Sequence, residues 1–187
     1  MAGREDRRVQ YTKMVLQESF IKLLAEKDIS KITIKEICEG ANINRATFYA
    51  HYSDQYDLLR KIEEGLFENI AAHLHGCTFD AGDAGTIDMV EQILEYIKKN
   101  ALLCKILISE RGDLDFQKRI MMLVYDKDID EQISRGIITR EDAEYIYSFK
   151  ITGCVGVIQK WIDSDIKTST RSLSELLLRL AAPLSTM

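Results

Sequence analysis

The sequence predicts an all-α protein, with a small N-terminal helical domain and a larger helical C-terminal domain. Only one proline, Pro183, occurs in 187 residues, whereas average usage would give about nine, and proline is least tolerated inside helices. Apolar residues recur at helical spacing along most of the chain. Hydrophobic residues make up 46% and charged residues 29%, which is the balance of a folded protein rather than a disordered one.

Charge is distributed unevenly along the chain. The formal net charge is −5, made up of +1 over residues 1–60 and −6 over residues 61–187. The net charge of the whole chain, taken alone, disfavours a protein that coats nucleic acid, because phosphate neutralisation requires excess cations. A nearly neutral first domain over 8–60 is still able to approach an anionic surface, while the second domain, over 61–187, carries the acid. On charge alone, the alternative that this difference in net charge between the two domains has no functional meaning stays open.

Nothing in the sequence predicts export, a membrane span or a metal site. The start of the chain is charged, and the longest apolar stretch is about half of the roughly 20 residues that a bilayer span requires. The four cysteines are far apart and have no zinc-like spacing. We therefore expect a cytoplasmic protein with reduced thiols, no metal and no cofactor.

The first sixty residues contain the signals for four helices. Apolar spacing predicts helix one from Lys13 to near Asp28. Thr33 precedes Glu36 by three residues, a capping box that predicts helix two over 34–40. The preceding residues 29–34, taken alone, are also compatible with a short strand.

A tight turn and a short third helix follow. Asn42 tolerates the left-handed conformation, and Asn44 is a good N-cap for a helix over 45–52. Asp54 then caps helix four. Two short helices joined by a turn of about four residues, after a longer bracing helix, indicate a helix-turn-helix.

Residues 32–59, ITIKEICEGANINRATFYAHYSDQYDLL, resemble the DNA-binding module of the TetR (tetracycline-repressor) family. The positions in register with the family pattern are Thr33, Ile37, Ala41, Ile43, Thr47, Tyr49, His51, Tyr52 and Leu58. The sequence departs from the pattern at Asn42, Asn44, Ala46 and Gln55, where the family usually has Gly, Ser, Gly and Lys. The loss of a lysine at position 55 puts the family's usual phosphate affinity there in doubt.

The resemblance implies that helix three enters the major groove of an operator. Asn44, Arg45, Ala46 and Thr47 would then meet base edges. Arg45 is the candidate for binding guanine, and a phosphate contact is the open alternative. The residues assigned to phosphate contacts are Thr33, Tyr49, His51 and Gln55. For Arg4, Arg7 and Arg8 we expect an unstructured charged end, and added phosphate or minor-groove contacts are the open alternative.

The C-terminal two-thirds predict further helices after a glycine-rich break over 76–85. Apolar patterns indicate helices over 87–99, 101–109, 115–129, 145–162 and 172–182. The helix over 145–162 is apolar nearly all round, which predicts burial on both sides. The resemblance implies that the last two helices form a homodimer interface. Its candidate residues are Gly153, Gly156, Leu173, Leu176, Leu177 and Leu180. The alternative is that these helices complete the core of a monomer.

The resemblance also implies a repressor that a small apolar or aromatic effector releases from DNA. Candidate pocket residues are Met89, Ile93, Tyr96, Leu103, Leu107, Tyr125, Phe149 and Trp161, each of which could instead be plain core. A second hypothesis is a DNA-binding regulator whose C-terminal body binds a partner protein. An enzyme is disfavoured, because His73, His75 and Cys77 lack a carboxylate at suitable spacing and no nucleotide-binding or hydrolase motif is present.

Overall fold

A computed structural model describes residues 2–74, 84–108, 119 and 133–181. All regular structure in these ranges is helical, which confirms the predicted all-α class. Packing divides the chain into two units, residues 1–66 and 67–187, and each is described by itself. None of the described helices is both long and apolar enough to cross a membrane.

The first unit contains α1 (Ala2–Glu26), α2 (Ile34–Ala41), α3 (Arg45–Tyr49) and the start of α4 (Gln55–Leu74). A short 3₁₀ turn, Ile29–Lys31, precedes α2 in place of the strand that its residues allowed. The 3₁₀ turn forms because the Asp28 carboxylate accepts a hydrogen bond from the Ser30 backbone N–H at 2.9 Å, which satisfies a donor that a strand would pair elsewhere.

The helix α1 begins much earlier than the predicted Lys13. Arg7 and Arg8 therefore lie on a helix, exposed, and the expectation of an unstructured charged end was wrong. Apolar spacing did not extend this far because Val9 is the only aliphatic residue larger than alanine between Ala2 and Thr12. Helix α3 is shorter than predicted, since it ends at Tyr49 and the chain turns through Ala50 and His51.

The core of the first unit is formed where α1 packs on α2 and α2 packs on α3, and α4 contributes further buried side chains. Its buried side chains are Leu16, Phe20, Ile32, Ile37, Cys38, Phe48, Tyr52, Leu58, Ile62 and Leu66. The buried Ser19 hydroxyl donates to the Ile37 carbonyl at 2.9 Å. A Cβ on Gly40 would overlap that hydroxyl, so glycine permits this close approach of the two helices.

The second unit contains α5 (Ala84–Lys99), α6 (Ala101–Ile108), α7 (Arg140–Asp163) and α8 (Thr170–Ala181). Helix α5 packs most extensively on α8, and α6 packs on α7. The helix predicted over 115–129 lies outside the described residues. Helix α7 begins five residues before its predicted start, because Thr139 and Asp142 form a capping box that the analysis of the sequence missed.

Polar contacts hold α8 in place against α5. The buried Thr170 hydroxyl donates to Glu95 Oε1 at 2.8 Å. Arg171 forms ion pairs with Asp88 and, at 3.1 Å, with Glu91. Charge-assisted contacts of this kind fix the register between two helices as well as stabilising them.

Candidate nucleic-acid interface

The capping box at the start of α2 is present as predicted. The Glu36 N–H donates to Thr33 Oγ1 at 3.3 Å, and the Thr33 N–H donates to Glu36 Oε2 at 2.9 Å. Lys27, the residue that follows the end of α1, donates to Glu36 Oε1 at 2.5 Å. The hydrogen bond from Lys27 is the main cause, followed by those from Thr33, that lowers the pKa of Glu36 from 4.5 to about 2. The carboxylate therefore links α2 to the residue that follows α1 at neutral pH.

The turn between α2 and α3 also has the predicted conformation. Asn42 is left-handed, with φ 55° and ψ 41°, and the Ile43 N–H donates to the Cys38 carbonyl at 2.9 Å. Asn44 caps α3, because its Oδ1 accepts from the Thr47 N–H at 2.7 Å and from the Thr47 hydroxyl at 2.9 Å. Both ends of the turn are thus held by local hydrogen bonds.

Helix α3 turns one face to the core and another to solvent. Phe48 is fully buried, and its ring centroid lies 5.5 Å from that of Tyr52, with the two rings tilted by 48°. Asn44, Arg45 and Ala46 are exposed at the N-terminal end of the helix. This placement leaves the end of α3 that would meet base edges open to solvent.

The other residues predicted to contact DNA differ in how exposed their side chains are. Thr33 and Tyr49 are exposed, and the exposed fraction of Tyr49 is 58%. Thr47, His51 and Gln55 are half-buried. The hydroxyl of Thr47 already donates to the cap, so its free group for a DNA contact is an acceptor lone pair.

An open groove of about 640 Å³ lies beside α3 and adds residues that the sequence analysis missed. It is lined by Lys35, Cys38, Glu39, Asn42, Ile43, Asn44 and Arg45. Lys35 and Glu39 form an exposed ion pair at 3.7 Å. Their i, i+4 spacing on α2 was the available signal, because it places both on the same side of that helix.

The candidate effector residues do not share one environment. Met89, Leu103, Leu107 and Trp161 are buried in the second unit, and Ile93 and Tyr96 are half-buried. The Trp161 indole N–H donates to the Thr168 carbonyl at 2.8 Å. Phe149, however, is 73% exposed, so its side chain does not belong to this buried group. Tyr125 lies outside the described residues.

The candidate interface residues also divide into two groups. A Cβ added at Gly153 or Gly156 would meet no atom within 4 Å, and Leu180 is 56% exposed. Leu176 is half-buried. Leu173 and Leu177 are already buried in their own chain, which leaves them little surface for a second subunit, and their place in an interface stays a prediction.

The expectation that α7 is buried on both sides is wrong for the single chain. Cys154 and Trp161 face inward, but Tyr145 and Phe149 are each 73% exposed. With Gly153 and Gly156 these two side chains lie at helical spacing i, i+4, i+8 and i+11 on one outward face. We call Tyr145, Phe149, Gly153 and Gly156 the α7 stripe.

Acid should weaken the N-terminal unit through two carboxylates. Hydrogen bonds from the Ser53 N–H and then from Lys61 are the main causes that lower the pKa of Asp57 from 3.8 to about 2. The pKa of Glu36 is lowered similarly. Because both folded-state values lie below the ordinary ones, the stabilisation is complete above about pH 5 and is lost as the pH falls towards 2.

This dependence is measurable by thermal unfolding from pH 7 to pH 2.5. We expect Glu36→Gln to lower the melting temperature at pH 7 and to flatten its fall in acid. Glu39→Gln removes an exposed carboxylate from the same helix. In this variant the melting temperature should fall with pH as steeply as it does in the wild-type protein. An unchanged slope in Glu36→Gln would contradict the assignment.

Comparison with known proteins identifies the family. Residues 21–62 match the family model described as bacterial regulatory proteins, tetR family. Residues 86–182, about half of the chain, match the model described as a transcriptional regulator C-terminal region. An uncharacterised HTH-type transcriptional regulator of Bacillus subtilis (strain 168), YxbF, is 44% identical over 70 residues. That match covers 37% of this chain and 18% of the length of YxbF.

Solved structures agree in fold over nearly the whole chain. A TetR transcriptional regulator from Streptococcus agalactiae 2603V has a TM-score of 0.65 at 24% identity, over 97% of this chain and 99% of that one. FadR from Bacillus subtilis, solved with stearoyl-CoA, has a TM-score of 0.63 at 15% identity, over 91% and 97%. These similarities concern the fold, whereas the family models match the sequence itself. The chain belongs to the TetR family of bacterial regulatory proteins.

Proposed function

We propose that this regulator binds a palindromic DNA operator as a homodimer and is a repressor released by a small-molecule effector. The observation that carries the DNA-binding part is the exposed N-terminal end of α3, with Asn44, Arg45 and Ala46 presented by a capped turn. Family membership supports the same role. The net charge of −5 does not oppose it, because the excess acid lies outside residues 1–60.

A dimer is proposed because one helix-turn-helix makes too few base contacts to find a site in a genome. The α7 stripe is the surface that supports it, since two aromatic side chains and two uncovered glycines form one outward face. The exposed Leu180 and the half-buried Leu176 of α8 would add apolar area to the proposed interface. Glycines allow close approach of two helix backbones, so a second copy of α7 suits this face.

Arg45 provides the sharpest test of sequence recognition. An operator is first selected from genomic fragments at moderate salt, and the affinity of Arg45→Ala for it and for single-base variants is then measured. If Arg45 binds a base, discrimination at one position should fall by about 1–3 kcal/mol per half-site. Lys35→Ala, which removes a cation from the same groove, should weaken binding to all sequences equally. Absence of any selected sequence would contradict the proposed function.

The effector part rests on the buried apolar side chains of α5, α6 and α7, with Met89, Leu103, Leu107 and Trp161 as candidates for the pocket lining. FadR of Bacillus subtilis, which has the same fold, was solved with stearoyl-CoA. The second candidate, binding of a partner protein, draws on the exposed α7 stripe. A metabolite extract that raises the melting temperature would support an effector. No shift, together with tight binding of a protein, would support the alternative.

A further inference from the structure

A lysine of α4 reaches back to the end of the candidate recognition helix. Lys61 Nζ donates to the backbone carbonyl of His51 at 2.8 Å, two residues after α3 ends at Tyr49. The same ammonium lies 5.2 Å from the ring centroid of Tyr52. One cation therefore contacts both a carbonyl and an aromatic face in the segment that leaves α3.

A buried carboxylate holds this lysine in place. Asp57 Oδ2 lies 3.1 Å from Lys61 Nζ and also accepts from the Ser53 N–H at 3.0 Å. The Asp57 side chain is 9% exposed, and Arg60 pairs with its other oxygen. A carboxylate that accepts backbone and ammonium donors together has little freedom to move, so the position of Lys61 follows from that of Asp57.

The short length of α3 explains why such a contact matters. A helix of five residues cannot hold a direction through its own hydrogen bonds, because nucleation costs more than so few bonds return. Its N-terminal end is fixed by Asn44, and its fourth residue, Phe48, is buried in the core. The Lys61 contact is one of the described polar links between this segment and α4, beside the hydrogen bond from the Ser53 N–H to Asp57.

We propose that Lys61, anchored by Asp57, is a positioning residue for DNA recognition: its contact with the His51 carbonyl sets the angle at which α3 presents its base-contacting end. The inference rests on the proposed DNA binding. Two other roles are physically possible for a lysine whose side chain is 45% exposed. It could contact a phosphate directly, or it could stabilise the fold without affecting recognition.

The test compares Lys61→Met with Arg60→Met on the operator selected from genomic fragments and on an unrelated duplex, at several salt concentrations below the melting temperature. Arg60 is the matched control, because it pairs with the same carboxylate through a separate side chain. We expect Lys61→Met to lose about tenfold in operator affinity, with unchanged non-specific affinity and salt dependence. Lys61→Arg should recover part of the loss, and Arg60→Met should stay within about twofold of the wild type.

Either alternative role gives a different result and overturns the proposal. A direct phosphate contact would lower specific and non-specific affinity together and make the slope of log K against log salt shallower by about 0.9. A purely stabilising contact would lower the melting temperature and leave both affinities of the folded protein unchanged.

Amide hydrogen exchange without DNA separates this inference from the proposed function. The His51 and Tyr52 N–H groups donate to the Phe48 carbonyl, each at 2.9 Å. We expect these two amides to exchange faster in Lys61→Met than in Arg60→Met. If no operator can be selected, the proposed function fails while this comparison still decides whether Lys61 fixes the end of α3. Equal exchange in the two variants would overturn the inference.

Discussion

Phe48→Ala is expected to destabilise the N-terminal unit by about 3–5 kcal/mol. The Phe48 side chain is fully buried, and its ring lies 5.6 Å from that of Tyr49 and 5.5 Å from that of Tyr52. Truncation removes buried apolar area and leaves a cavity that a five-residue helix cannot close. Because whole domains are stable by only about 5–15 kcal/mol, a loss of this size removes a large share of the free energy of unfolding that keeps α3 ordered.

Urea unfolding followed by circular dichroism measures this loss, and operator affinity should fall in the same variant. Tyr49→Ala is the matched control, because Tyr49 is the next residue on the same helix and is 58% exposed. That variant should lose no more than about 1 kcal/mol of stability while it removes a proposed phosphate contact. Equal destabilisation by the two variants would show that Phe48 does not hold α3 in the way described.

Phe149→Glu is expected to convert the proposed dimer into a monomer. The wild-type side chain is 73% exposed in the single chain and lies one helical turn from the equally exposed Tyr145. Across a two-fold axis the substitution would place two carboxylates in or near the same apolar contact, where burying unpaired charge is costly. With the half-sites no longer bound by one particle, operator affinity should fall by roughly a hundredfold or more.

Sedimentation at micromolar concentration measures the oligomeric state directly. Leu102→Glu is the control, because Leu102 is an exposed apolar residue on α6, at 46%, and lies outside the α7 stripe. It receives the same charge and should leave the mass of the particle unchanged. A Phe149→Glu protein that sediments like the wild type would remove the α7 stripe from the proposed interface.

Much of the candidate DNA-binding surface could be predicted because its hydrogen bonds are local. Thr33 with Glu36, and Asn44 with Thr47, are each three residues apart, and the left-handed Asn42 follows from the conformational tolerance of asparagine. The same rule could have placed the start of α7, since Thr139 and Asp142 have the same spacing. The start of α1 gave no such signal, because Val9 is the only aliphatic residue larger than alanine between Ala2 and Thr12.

The sequence by itself determined the helical class, the family and the capped turn that presents α3, because proline content, periodicity and caps act within a few residues of each other. Only the tertiary structure decided which apolar residues face inward: Leu173 and Leu177 are buried by their own chain, whereas Phe149 is left to solvent. It also decided that Lys61 meets His51, ten residues away. Such contacts depend on how the helices pack on each other, and the periodicity of a single helix contains no information about its neighbours.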